Sequence, residues 1–573
     1  MRDMRSLVLI LCVALLFGLP GAAATAPDAA PGFDLVILHG HLIDGSGNPW
    51  IAADLGIRAG RIVAIGNLQG RPARRTLDAT GLVVAPGFVD MHSHSEAALL
   101  MNGGAGSKIY EGVTTEVLGE TAAVACGGPF SGPAIEHARR EFAAVGLRMD
   151  WTTLGGFFRR LERQGIRLNA LSYAGLGPIR ESVRGMAAGD PSPAQLAREA
   201  DMMTRAMRDG AFGLASGLSY PPDVFTHTPE IVALARVAAR FGGLYATHVR
   251  SLDAPGVPGL DEAVTIAREA AIPVHVFHLQ VSRNDGPGAA TEALQRLQQA
   301  RDAGLEVTAD AYPYRAAANP LSSTVAPRFL VGGDAALAAR LHDPAIRPQI
   351  VASLAANARA LATPDDPGGW TQELISGVRE AQDLKYVGKT FAEVGRLDAL
   401  PPAEAVANLL MREHGAGGRI FFNKSVASVR QILREPWVSV GGDAVDTDLA
   451  RRSPFAFAHP RSFGTHSRII GPWVRDEHLF TLEQAVQKMT SLPAQTLRLR
   501  DRGLLKVGFA ADVIVFDPAT VGDRATYAAP FQYSVGMKAV LVNGVPVLWD
   551  GKPTAARPGR VLRGPGWGGV GRG

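Results

Sequence analysis

Apolar and polar residues alternate with period two from the first folded segment onward. "DLVILHGHLID", "ADLGIRAGRIVAIG" and "RTLDATGLVVAPG", between residues 34 and 87, are such runs, separated by Gly and Asp-Gly turns. That is the pattern of half-buried strands. The same texture returns near the other end in "GLLKVGFAADVIVFD" and "MKAVLVNGVPVLWDGKP". Two β-rich flanks around a different middle predict one small β-sandwich built from both ends, residues 33–85 and 491–560.

The middle changes period. "SPAQLAREADMMTRAMRDG" has helical spacing and leads to "FGLASGLSY". "TPEIVALARVAARFGG", with Thr228 as N-cap and Pro229 at the first helical position, leads to "LYATHVR". "GLDEAVTIAREAAI" leads to "VHVFHLQ", and "TEALQRLQQARDAG" to "LEVTADAYPY". Repeated helix–strand units predict a parallel sheet, closed or open. Strands ending near His94, Glu120, Gly175, Tyr220, Arg250, Gln280, Tyr314 and Asp443 make eight, the number a barrel needs; "GRIFFN" is a candidate ninth. The barrel region spans 86–490. Residues 320–417 break the rhythm and read as an insertion. Residues 561–573, rich in glycine, are expected to be a disordered tail.

Composition narrows the class. Hydrophobic residues are 47% and charged residues 20% of 573, enough for a large core. The formal charge of +4 is small and no basic run stands out, which argues against nucleic acid as a partner. "MRDMRSLVLILCVALLFGLPGAAATA" has Arg2 and Arg5, then an apolar stretch from Leu7 to Leu19, then small residues. It predicts an export signal over 1–24, cleaved after Ala24 or Ala26, with periplasmic or secreted localisation and no stable membrane insertion afterwards. Cys12 would leave with it, so Cys126 has no partner for an internal disulfide.

The candidate chemistry begins at "GFVDMHSHSE". His92 and His94 are two residues apart, so on a strand both imidazoles face one side and can reach one ion. Alone, H-x-H is more often an ordinary surface pair. His248 ends "LYATHVR" and His278 lies late in "VHVFHLQ", each at a strand end after a helix. In a barrel those ends share one rim, where active sites are built. His275 has opposite parity to His278, and spacing does not choose between them. Glu120 ends the second strand, where a carboxylate can bridge two cations; taken singly it reads equally well as a solvated loop acid. Asp443 ends the eighth strand and is a candidate proton acceptor for a metal-held water; Asp446 and Asp448 nearby make an ordinary acidic loop the competing reading.

These segments, with "VILHGHLIDGSGNPW", "EGVTTEVLGE", "GAFGLASGLSYPP", "DAYPY", "HPRSFGT" and "MTSLPAQTLRLRDRG", resemble the amidohydrolase superfamily, and within it the N-acyl-D-amino-acid deacylase (D-aminoacylase) family. The likeness covers nearly all of the chain after the signal. It implies a metal-lined (β/α)8 barrel with a small β-sandwich, one or two divalent ions with zinc foremost, and hydrolysis of the amide of an N-acyl-D-amino acid. It implies one metal on His92 and His94, a tighter one on His248 and His278, Asp443 as general base and acid, Arg461 as anchor for the substrate carboxylate, and Tyr312 as its helper.

The departures bear on substrate. Many members have Gly-Asn-Cys where this chain has Gly119-Glu120-Thr121, so Glu120 is read as the bridging ligand and Cys126 as an outside candidate. A carboxylate is a harder donor than a thiolate. The sixth strand usually carries a Lys two residues after the His; here it is Gln280, which weakens the case for a free carboxylate beside the scissile bond. "GGDA" replaces a Ser-Asp-Gly around the acid, and Leu176 stands where some members have His. Alternatives are another small amide, a cyclic amide or a dipeptide as substrate, or a non-catalytic protein of the same fold.

Overall fold

The computed structural model describes residues 32–103, 106–120, 127–250, 257–286 and 288–568. The expected signal segment and Cys126 lie outside them. Among the described residues no helix is long and apolar enough to cross a membrane.

Eight parallel strands form the barrel. They are Phe88–Asp90, Val113–Leu118, a third in two pieces (Asn169–Ser172 and Ala174–Gly175), Gly213–Gly217, Leu244–His248, Val274–Val276, Val307–Ala311 and Val438–Val440. The third strand is interrupted at Tyr173: its first piece pairs with the second strand and its second piece with the fourth. The ring is completed differently from the rest. Among the described residues no ladder joins the first strand to the eighth. Instead the chain just past both strand ends meets: Ser93 bridges Ala444, Asp443 N–H donates to His92 O at 2.7 Å, and His94 N–H donates to Ala444 O at 3.1 Å. The join therefore lies at the rim of the barrel where His92, His94 and Asp443 stand. Inside, Val89, Met91, Val117, Leu171, Ala215, Ala246 and Phe277 pack against each other. Outside, the helices bury a larger apolar layer.

"GRIFFN" is not a barrel strand. Gly418–Phe421 pairs antiparallel with Ala317–Pro320 and Glu373–Gly377 in a separate three-stranded sheet above the rim. Between these strands helices pack on their own core of Leu321, Leu337, Ile350, Leu354, Val406 and Leu410. The segment between the seventh and eighth strands is thus folded in its own right and fastened at the barrel top.

Both chain ends contribute to one nine-stranded sheet. It folds over on itself: Arg61, on an outer strand, bridges Ala510, just before Val513–Phe516. The enclosed face carries Leu35, Ile37, Leu55, Ile57, Val84, Val513, Val515 and Leu541.

Two local expectations differ. Thr228 is the first residue of the helix Thr228–Arg240 rather than its cap, because its hydroxyl donates to Glu262 at 2.8 Å. Residues 561–568 are not a free tail. Val561 bridges Ala170, Leu562 N–H donates to Ala170 O, Gly564 N–H donates to Gly210 O, and Leu562 packs against the barrel interior. Val561 also packs on the outer apolar layer, and Arg563 donates to Glu162 at 2.7 Å, so side chains and backbone together hold this glycine-rich stretch against the barrel.

The barrel join is held by a buried ion pair. Lys108 and Asp90 are both fully buried and bonded Nζ to Oδ2, at 2.5 Å. Asp90 Oδ1 accepts from Gly442 N–H at 2.6 Å, tying the first strand to the segment after the eighth. Lys108→Met leaves Asp90 charged and unpaired in the core, a loss of about 3–5 kcal/mol. In denaturant unfolding, Lys108→Met is expected to fall well below wild type, and the double variant with Asp90→Asn to recover part of that loss. An equally unstable double variant would show that the pair does not act as a unit.

Candidate active site

The join brings the candidate residues together. His92 Nε2 lies 2.6 Å from Glu120 Oε2, and His94 Nε2 lies 3.1 Å from both Glu120 Oε2 and Asp443 Oδ1. His248 Nδ1 lies 3.4 Å from Glu120 Oε1. One ligand atom from each of His92, Glu120, His278 and Asp443 falls within 4.8 Å of the others, and all four residues are buried. Glu120 is thus in reach of three imidazoles at once. The floor is apolar: the His92 ring stacks on Phe277 at 4.2 Å. Tyr220 meets His248 edge-on at 4.9 Å.

The backbone that aims these groups is held in unusual conformations. His278 and Asp443 have φ of 34° and 48°, a region costly for residues with a Cβ. Asp310 supports the first: its Oδ1 accepts from His278 N–H at 2.9 Å, while its Oδ2 takes His275 Nε2 at 2.8 Å. His275 therefore faces Asp310 and Thr308, and His278 faces the site. The second depends on two glycines. A Cβ on Gly441 would sit 2.5 Å from Asp310 Oδ1, and one on Gly442 would sit 2.8 Å from both Asp90 Oδ2 and Lys108 Nζ. The "GGD" sequence is what lets the chain pass between two buried acids and present Asp443.

Electrostatics follow from the crowding. Burial disfavours a charged His94, yet its hydrogen bonds to the Asp443 and Glu120 carboxylates outweigh it and raise its pKa to about 10. Against burial, Glu120 and Asp443 raise His92 as well. Burial and the neighbouring His248 hold His278 well below the usual histidine range, so its imidazole stays neutral. Burial would raise Asp443, but Arg461 and His92 keep it ionised far below the usual carboxylate range. Burial raises Glu96 to about 7, and its Oε1 accepts from Gly119 N–H at 3.1 Å, next to Glu120.

The donor set fits a divalent metal. His92 Nδ1, His278 Nδ1 and Glu120 Oε1 are buried without a hydrogen-bond partner among the described residues. Imidazole and carboxylate donors converging in a buried site suit zinc. The expected substrate residues sit on one side of this cluster. Arg461 Nη1 is 2.6 Å from Asp443 Oδ2, and its guanidinium lies over the Tyr312 ring at 4.9 Å. Gln280 is buried, with Oε1 lacking a partner among the described residues. Sequence reasoning did not find Asp90, Lys108 or Asp310. Asp90 had a signal, since it shares parity with His92 and His94. The others are isolated residues with nothing local to mark them.

The amidohydrolase family pattern matches residues 75–147 and 233–548. The chain is 33% identical over 532 residues to an N-acyl-D-glutamate deacylase of Alcaligenes xylosoxydans xylosoxydans, covering 92% of this chain and 96% of that one. It is 33% identical over 548 residues to a D-aminoacylase of the same organism, covering 93% and 98%. Its structure is similar, at TM-score 0.78 and 30% identity, to that of N-acyl-D-glutamate deacylase from Bordetella bronchiseptica with zinc and a phosphonate mimic of the tetrahedral intermediate; 93% of this chain and all of that one are covered.

Metal and protons compete for the same nitrogens. With its pKa at about 10, His94 holds a proton at neutral pH that an ion must expel. Apparent zinc affinity is therefore expected to rise with pH up to that value and to fall on acidification. Calorimetric titration of metal-free protein at pH 7 in buffers of different ionisation enthalpy measures the proton count. A heat independent of buffer would mean that no proton leaves and that His94 is not charged.

Proposed function

The chain belongs to the amidohydrolase family, and from that membership we propose that it hydrolyses N-acyl-D-amino acids to a carboxylic acid and a D-amino acid, with zinc as cofactor. The observation that carries the reading is the position of Asp443. One of its oxygens faces His94 at 3.1 Å, the other faces Arg461 at 2.6 Å. An amide at the histidine cluster and a carboxylate at Arg461 are then about as far apart as in one amino acid.

His92, His94, Glu120, His248 and His278 would hold the metal, with Glu120 between the two histidine pairs. When bound there, a divalent ion would supply polarisation of the amide carbonyl and acidification of water. Asp443, a carboxylate 3.1 Å from His94 at the edge of the cluster, would accept the proton of the attacking water and return it to the departing amine. Arg461, a planar donor pressed on Tyr312, orients the carboxylate. The preference for the D configuration is supported by the two Alcaligenes relatives, a D-glutamate deacylase and a D-aminoacylase by name.

We also propose that residues 1–24 direct export, on the strength of Arg2 and Arg5 ahead of the apolar stretch. Expression from the full gene and N-terminal sequencing of the recovered protein should give a start at Thr25 or Pro27; a start at Met1 would sink the export reading.

Zinc-loaded protein is expected to release free amine from N-acetyl-D-amino acids and not from their L enantiomers. Asp443→Asn should keep its zinc and lose about 10²–10⁴ in kcat, the usual contribution of a general base. Full activity in Asp443→Asn, or equal rates on both enantiomers, would overturn the proposal.

A further inference from the structure

A cavity of about 530 Å³ opens beside the histidine cluster. Glu120 and Tyr220 line it, and both belong to the site. Glu120 Oε1 lies 3.4 Å from His248 Nδ1, and the Tyr220 ring meets the His248 ring at 4.9 Å. Asp443, Arg461 and Tyr312 have no part in its walls. One wall is barrel: the helix Pro133–Ala144, the start of the helix Leu176–Arg184, and residues 219–222 after the fourth strand. The other wall is the segment inserted between the seventh and eighth strands, through Pro320, Ser323, Leu330 and Gly417.

The walls are fastened to each other. Gly332 N–H donates to Met186 O at 3.1 Å, and Arg379 donates to Glu141 at 3.1 Å. Gly333 has a φ of 77°, and a Cβ there would stand 3.3 Å from the Met186 side chain, so the two walls cross closely. Charged groups around the space pair with one another, Arg379 with Glu141 and His137 Nδ1 with Glu181 at 2.9 Å. Arg140 and His414 are exposed and mark the open end. Phe130, Ala134, Ala138, Met186 and Leu330 give the lining an apolar share.

Size and direction decide the occupant. A cavity of several hundred Å³ holds a ligand of drug size, so an acetyl group would leave most of it to water. With the substrate carboxylate at Arg461 and the amide at the histidines, the acyl end is the one that points past Glu120. The amino-acid side chain branches from the carbon next to the carboxylate, on the Asp443 side. We propose that this cavity is an acyl subsite, and that the acyl group of the substrate is an aliphatic chain of hexanoyl size or larger. This rests on the activity proposed above and adds which acid is released.

The test gives zinc-loaded wild type the N-acetyl, N-butanoyl, N-hexanoyl and N-octanoyl derivatives of D-alanine. Each methylene taken out of water is worth about fourfold, so kcat/KM is expected to rise at least about 10-fold from acetyl to hexanoyl. Ala134→Phe fills the cavity from the barrel wall and Ser323→Phe from the inserted wall. Each should cut the hexanoyl-to-acetyl ratio about 10-fold and leave the ratio of N-acetyl-D-norleucine to N-acetyl-D-alanine as in wild type. Zinc content and thermal unfolding identify a variant that fails to fold; the wild-type series then decides. A rate that is flat or falls from acetyl to octanoyl, as for a mere entrance, overturns the inference. So does a folded pair of variants with the wild-type acyl preference, or one that changes the side-chain ratio instead. If wild type releases amine from none of these compounds, the activity proposal falls alone. Calorimetric binding of N-acetyl- and N-hexanoyl-D-alanine then decides. Tighter binding of the hexanoyl compound, lost in Ala134→Phe, supports the subsite; equal affinities, or no binding of either, overturn it.

Discussion

Closing a ring of eight strands with no ladder among the described residues at the last join leaves the burden on a buried charge. Lys108 reaches Asp90 out of all contact with water, and Asp90 in turn holds the amide of Gly442. A charge in that place is costly unless paired, so the pairing dictates where the segment after the eighth strand runs. From that segment comes Asp443, and from the segment just after the first strand come His92 and His94. The same contact that completes the barrel sets the distance between His92 and His94 on one side and Asp443 on the other.

The second constraint is packing around glycine. Gly441 passes Asp310, which also anchors His278, and Gly442 passes the Lys108–Asp90 pair. Two buried acids from different strands thereby fix opposite sides of one site. This accounts for a sequence departure that has no meaning in isolation: a larger residue in either glycine position would collide with Asp310 or with the Asp90–Lys108 pair.

Much of this was legible in the chain. Period-two runs at both ends and helix–strand units between them announced the layout, and His92, His94, His248 and His278 could be placed on one rim because each ends a strand. What spacing could not do was choose His278 over His275. The choice is made by Asp310, 35 residues beyond His275, which binds the His275 ring on one side and the His278 amide on the other. "GRIFFN" has strand composition, and only its partners, Ala317–Pro320 and Glu373–Gly377, show that it belongs above the barrel. Thr228 and the 561–568 stretch misled for a related reason. In both, a contact made far away in sequence outweighed a local preference.

The cluster of histidines is carried by barrel strands, whereas the cavity beside it is completed by residues around a sheet inserted between the seventh and eighth. That sheet has its own apolar core and meets the barrel at its top. The chain has in effect separated two hereditary tasks. Changes in the inserted sheet can redraw what enters, one residue at a time, while the barrel strands that carry the histidines keep their places. A lineage built this way can broaden its diet without relearning its chemistry.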